Sequence, residues 1–354
     1  MKSVCRYLLL TLVVCVCVSA ATQAREKLQT FTFDDIHSID IRTVSGDIAI
    51  RPGSESKLIV ELRNNLDDPD ALEPEVEANS GELTVKENFV GHETRGEIYW
   101  TIYVPTSDSL RNIKCNTASG SISIEDLELK YLETESASGE TSIDSVQAKD
   151  IDLSTASGEA AIRDCRADYV KIGSASGMVK ASYIRADELE LSTASGNLVV
   201  ANCQAGHIKT GSASGDISLD SGQATEMELS NASGSIVVKD CDVKERGDAS
   251  SSSGDVDLRL RHLPSERIEA SSASGDVTFS VPQFGENFSM SLKKKAGEGK
   301  IKCPFPYDQK VLRYHEDRGY YTDRFVVKRG TGGPDIKLAT SSGTIRIETS
   351  AKDR

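Results

Sequence analysis

The side chains in this 354-residue chain that could do chemistry are acids, histidines, cysteines and hydroxyls, and most fall into repeating patterns. Asp126, Asp164, Asn202 and Asp240 recur at intervals of 38 residues, and Asp216, Asp255 and Asp276 each follow a glycine. Two convergent carboxylates about 5 to 10 Å apart would suit glycoside hydrolysis. The competing explanation is that Asp favours turns and exposed strand positions. His37, His92, His207, His262 and His315 show no metal-ligand spacing and read as surface residues. No Gly-x-Ser-x-Gly elbow, Gly-Lys-Ser/Thr phosphate loop or calcium-binding glycine nonapeptide occurs, so no cofactor or metal is expected.

The hydroxyls form two series. Thr117, Ser136, Thr155, Ser174, Thr193 and Ser212 stand three residues before a glycine, and Ser119, Ser138, Ser157, Ser176, Ser195 and Ser214 stand immediately before it. If the alanines between them point inward, these residues make two parallel outward rows with a repeat of ~4.8 Å. Such an array could engage a glycan or an ice lattice. Alternatively, the hydroxyls bond one another and the backbone at a tight corner.

These series share one period. Ala-Ser-Gly returns every 19 residues, at Gly120, Gly139, Gly158, Gly177, Gly196, Gly215 and Gly234, with looser copies at Gly254 and Gly275. A fixed period of this length means stacked units. Apolar residues recur two and four residues after the glycines (Ile122 and Ile124, Leu198 and Val200), with Thr141 as an exception. They recur again at seven and nine, and at twelve and fourteen, so each coil offers three short inward pairs. Period-2 alternation means strands with one buried face. The expected fold is therefore all-β, a single-stranded parallel β-helix (β-solenoid) of about 19 residues per coil with atypical capping regions at both ends. It would have roughly a dozen coils, a length of ~50–60 Å and the right-handed sense usual for parallel crossovers. In the corner, the glycine is expected to supply a positive φ and the alanine to fit where two walls converge.

Cys165, Cys203 and Cys241 lie seven residues after alternate glycines. They should share one inward site on every second rung, ~9.6 Å apart by the rung spacing. That is beyond the roughly 7 Å Cα limit of a disulfide, so they read as buried thiols acting as small hydrophobes.

The first 24 residues read as a secretory signal peptide, with Lys2 and Arg6 before the apolar run 8–18 and small residues up to Ala24. Cys15 and Cys17 each follow a valine, which does not suit a lipobox. The net charge is −14, and loss of Lys2 and Arg6 with the leader would bring it to −16, which disfavours nucleic acid and anionic lipid as default partners. No later segment is apolar for long enough to make a transmembrane helix. After the leader, the expected divisions are capping coils over 25–115, the regular solenoid over 116–281, and coils with a loop excursion and cap over 282–354. The last part carries a basic run at Lys293 to Lys295 and an aromatic cluster including Phe305, Tyr307, Tyr314, Tyr320, Tyr321 and Phe325.

Tyr103-Val104-Pro105, Leu110 to Lys114 and Thr117 to Ile122 resemble the start of the bacterial putative-adhesin family, a domain of unknown function built of Ser-Gly-Asp-Ile-type β repeats. Gly332 to Leu338 followed by Thr340 to Ile345 is similar to the family's C-terminal end, and Thr43 to Ile50 to its first repeat. The resemblance implies an exported, non-enzymatic envelope β-solenoid that meets a glycan or protein partner in the periplasm, at the cell surface or outside, and it brings no catalytic residues. The alternatives are a polysaccharide-active lyase or hydrolase and an ice-binding Ser/Thr ladder.

Overall fold

Among the described residues of the computed structural model every regular element is a strand, as the alternating columns predict. The structure describes residues 26–68, 70–90, 94–105, 110–315 and 320–349; the leader and His92 lie outside them. Two units are distinguished, Met1–Lys149 and Asp150–Arg354.

In the first unit, strands pair one coil length apart. Asn112–Thr117 lies parallel to Tyr131–Ser136, and Ile122–Glu125 to Thr141–Asp144. The first Ser-Gly-Asp-Ile coil is not at the end of this stack. Ser38–Thr43 lies between Glu82–Phe89 and Asn112–Thr117, and Asp47–Pro52 between Ile98–Val104 and Ile122–Glu125. The intervening segment thus folds back over the first coil, and antiparallel strands close the stack: Leu72–Asn79 on one sheet, and on the other Leu58–Asn64 with Lys27–Phe33, which precedes the first coil. Antiparallel hairpins suit an end because they need no further coil to pair with.

Trp100 is fully buried under this cap and donates Nε1–H to Glu87 Oε1 at 2.7 Å. The other oxygen of Glu87 accepts the backbone N–H groups of Val44, Ser45 and Gly46 at 2.8, 3.1 and 3.3 Å. A buried carboxylate here satisfies corner amides that would otherwise lack acceptors.

In the second unit the 19-residue offset is explicit. Ala160, Val179, Leu198, Ile217 and Ile236 pair in one column, and Val170, Leu189, Ile208 and Met227 in another. These side chains are all buried. The three inward pairs do not become three separate strands. Arg166–Ser174 and its counterparts Arg185–Thr193, Gln204–Ser212 and Gln223–Asn231 each run through the second and third positions as one strand. In the first of these, the buried positions step from Ala167 to Val170, which breaks strict alternation and bends the wall without ending it.

The C-terminal rung is also out of sequence order. Asp335–Thr340 inserts between Arg267–Ser272 and Phe288–Lys295, and Ile345–Thr349 between Val277–Val281 and Ile301–Lys302. The chain's last strands are thereby paired on both edges, where a terminal strand would fray. Within 282–354, where a loop excursion is expected, the chain forms an antiparallel extension, Tyr320–Arg329 on Phe288–Lys295 and Gln309–His315 on Tyr320–Arg329. Parallel pairing thus holds for the regular rungs and gives way to antiparallel pairing at the cap of each unit.

Candidate functional site

The corner rearranges the expected hydroxyl rows. Thr117, Ser136, Thr155, Thr193 and Ser212 are buried and Ser174 is half-buried, so this row does not face solvent. Each accepts the N–H of the glycine three residues on, for example Thr193 Oγ1 from Gly196 at 2.9 Å and Ser212 Oγ from Gly215 at 2.9 Å. Ser251, Ser272 and Thr340 also donate to the glycine carbonyl of the rung before, at 2.9, 2.8 and 2.9 Å. These hydroxyls are spent on the backbone, which is why a β-branched or short polar residue recurs there.

The alanines, expected to point inward, are exposed: Ala118 and Ala137 in the first unit, Ala156, Ala175, Ala194 and Ala213 in the second. The glycines take the inward place. Among the described residues none of the 19-residue-repeat glycines has a positive φ. They are required for close approach instead: a Cβ on Gly196 would fall 2.6 Å from the carbonyl carbon of Gly177, and closer still to its oxygen. What remains outward is a column of Ala methyls beside Ser119 and Ser138 in the first unit, and beside Ser157, Ser176, Ser195 and Ser214 in the second.

The acids prove structural in their contacts. Asp216 accepts the N–H of Ser235 at 2.8 Å, Asp255 that of Asp276 at 2.8 Å, and Asp276 that of Thr344 at 2.7 Å. Each carboxylate therefore caps the rung above. Asp126, Asp164, Asn202 and Asp240 all have φ near +50°, as do Ser145, Tyr183 and Ser221 on the intervening rungs. Asp and Asn tolerate this left-handed corner better than most residues, which accounts for their recurrence.

Cys165, Cys203 and Cys241 are buried, lie outside any disulfide and share one column, linked through Ile184 and Gly222 by backbone bonds such as Arg185 N–H to Cys165 O at 3.0 Å. Burial pushes the Cys203 and Cys241 thiols up to about 11. Buried neutral thiols are poor nucleophiles. Among the described residues no group of three or more His, Cys, Asp or Glu side chains could hold a metal ion.

The left-handed corner of the second unit carries a feature that the repeat pattern did not lead us to expect. An open groove of about 600 Å³ runs over several rungs there. Its floor is the column eight residues after each glycine, where Arg166, Arg185, Gln204 and Gln223 pair in register. Arg261, Asn202 and the exposed Tyr183 complete it. Among the described residues, the side chains of Arg166, Arg185 and Arg261 form no ion pair and no hydrogen bond; Asp164, also in the groove, lies 3.8 Å from Arg163. Elsewhere in this unit cations are matched with acids on neighbouring rungs: Lys209 with Glu190 at 3.8 Å, Arg246 with Glu266 at 2.7 Å, Arg267 with Asp248 at 2.7 Å. Like charges stacked directly opposite destabilise a sheet, so Arg166 on Arg185 is a local cost that a bound anion would remove. The sequence signal was present, two arginines and two glutamines in one column, but it shows only when that column is read for charge instead of burial.

Among the described residues no helix is long and apolar enough to cross a membrane. No curated protein matches the chain. Three solved structures are similar over most of its length. A protein described as a putative lipid binding protein, from Parabacteroides distasonis, is 15% identical, with 91% of this chain and 96% of that one covered and a TM-score of 0.44. A putative adhesin from the same organism is 12% identical, with 92% and 98% covered and a TM-score of 0.37. A putative adhesin from Bacteroides fragilis is 13% identical, with 93% and 100% covered and a TM-score of 0.34. A family profile described as Toastrack DUF4097 matches residues 36–183 and 170–348. The chain belongs to this Toastrack DUF4097 family, a putative-adhesin family of unknown function, which is where its Ser-Gly-Asp-Ile motifs pointed.

Proposed function

We propose that this chain is an exported, non-enzymatic, adhesin-like β-solenoid of the bacterial cell envelope that holds an extended, acid-bearing glycan in the arginine groove of its second unit. In this reading residues 1–24 are a cleaved leader, 25–115 and 282–354 are capping coils, and 116–281 form a single-stranded parallel β-helix. The observation that carries the reading is the stacked, unpartnered Arg166 and Arg185 in a protein of net charge −14. Guanidinium forks match carboxylates, the amides of Gln204 and Gln223 match neutral hydroxyls, and the exposed ring of Tyr183 offers an apolar face to a sugar. A rung spacing of ~4.8 Å suits a linear polymer laid along the column. Sparse cations in an acidic protein suit a polymer with widely spaced charges better than a polyphosphate. The outward serines Ser157, Ser176, Ser195 and Ser214 are a second surface on which such a polymer could continue.

The test is binding of the secreted chain to arrays of uronate-containing and neutral oligosaccharides. Hydrogen bonds to charged groups contribute roughly 1.5–3 kcal/mol, so R166A or R185A should weaken uronate binding at least tenfold. Unchanged binding in the double variant, or equal binding of neutral glycans, would remove the groove from the function.

A further inference from the structure

The structure assigns a second, separate surface: the antiparallel extension formed by Gln309–His315 and Tyr320–Arg329 is a docking site for anionic lipid. The charge distribution comes first. Residues 293–329 carry eleven Lys and Arg against five Asp and Glu, in a chain whose net charge is −14. Two of those acids are already used, Asp323 by Lys294 at 3.1 Å and Asp308 by Arg329 at 3.1 Å. The segment is therefore a basic patch on an acidic protein.

Its apolar content is equally concentrated. Val311 is 46% exposed, Leu312 58%, Tyr314 49% and Tyr321 49%. Gln309–His315 pairs only with Tyr320–Arg329 among the described strands, and six of its seven residues are exposed. Residues opposite one another in an antiparallel pair share a face. Lys310, Leu312 and Tyr314 thus emerge on one side with Tyr321, and Val311 and Arg313 on the other with Arg324. A protein partner or a second copy would cover one face or one edge of this strand. Cations and apolar groups on both faces suit a fluid interface that surrounds it. Tyrosine is favoured where apolar and wet surroundings meet, and Lys and Arg reach past apolar stems to anionic headgroups. The strand's unpaired edge keeps it at headgroup depth, because free backbone groups are not tolerated in hydrocarbon. Net charge alone, which disfavours anionic lipid, averages over this patch of opposite sign.

The experiment is flotation of the full chain, as secreted, with phosphatidylcholine vesicles with and without phosphatidylglycerol. Binding should require phosphatidylglycerol and weaken with salt. A cation at the surface is worth roughly fivefold in partitioning, so K310Q/R313Q/R324Q should bind about a hundredfold more weakly. L312S/Y314S should also lose binding but keep the salt dependence of whatever remains. Circular dichroism and an unchanged unfolding midpoint establish that both variants fold. Equal binding to pure phosphatidylcholine, or wild-type binding by both variants, would overturn the assignment. So would lipid-free sedimentation showing an oligomer that the same substitutions dissolve.

Discussion

Replacing Gly196 by alanine isolates the contact on which the second unit's stacking depends. The new methyl would sit 2.6 Å from the Gly177 carbonyl carbon, where real Cβ atoms are essentially never found. The obstacle is backbone, so no side chain can swing away and the rungs must part by about 1 Å at the corner. That stretches the Ser195 N–H to Ala175 O bond from 3.0 Å and the Ala194 N–H to Ser174 O bond from 3.2 Å beyond useful range. Two backbone hydrogen bonds at about 1 kcal/mol each and overpacking strain of about 1–3 kcal/mol give a loss near 3–5 kcal/mol. Gly173 is the internal control. A Cβ there meets nothing closer than Ser192 Oγ at 3.8 Å, so G173A should stabilise by about 0.5–1 kcal/mol through the unfolded chain. Urea unfolding followed by circular dichroism, with hydrogen exchange to localise the effect within the unit, measures both. G196A within 1 kcal/mol of wild type, or G173A as damaging as G196A, would refute the close-approach argument. Rescue of the site by Gly196→Asn would point back to a positive φ, which Asn tolerates.

Four further outcomes are expected. Tyr183 is held at φ 56°, a left-handed conformation costly for a bulky residue, so Y183N should raise stability by about 1 kcal/mol in the same urea assay. Thr210 is 1% exposed between Leu191 and Leu229, and its Oγ1 has no hydrogen-bond partner, so T210V should stabilise by roughly 1 kcal/mol. E87A removes the acceptor for Trp100 and three backbone amides and should cost the first unit at least ~3 kcal/mol, read by Trp100 fluorescence during denaturation. Cys203 and Cys241 hold their protons up to about 11, against 9.0 for a thiol in water. Between those values the unfolded chain has lost protons that the folded chain keeps, so stability is intact below pH 9 and falls as pH rises toward 11. The loss is about 1.4 kcal/mol per pH unit for each thiol, and C203A/C241A should flatten that slope.

The columns are legible in the sequence because stacking makes residues 19 apart into neighbours. Ile162, Ala181, Val200 and Leu219 announce one inward site simply by recurring as apolar. The same logic places Cys165, Cys203 and Cys241 together. Periodicity reports what repeats, however, and not which way a residue at a corner points. Ala194 and Thr193 are both small enough to face either way, and only the approach of Gly196 to Gly177 turns the threonine in and the alanine out. The non-sequential rungs at 38–52 and 335–349 are equally hidden, since a parallel strand carries no mark of whether its neighbour precedes or follows it in the chain. The arginine groove needs both kinds of information. Position along the repeat sets Arg166 over Arg185, but whether an acid reaches them depends on side-chain geometry that no spacing rule encodes.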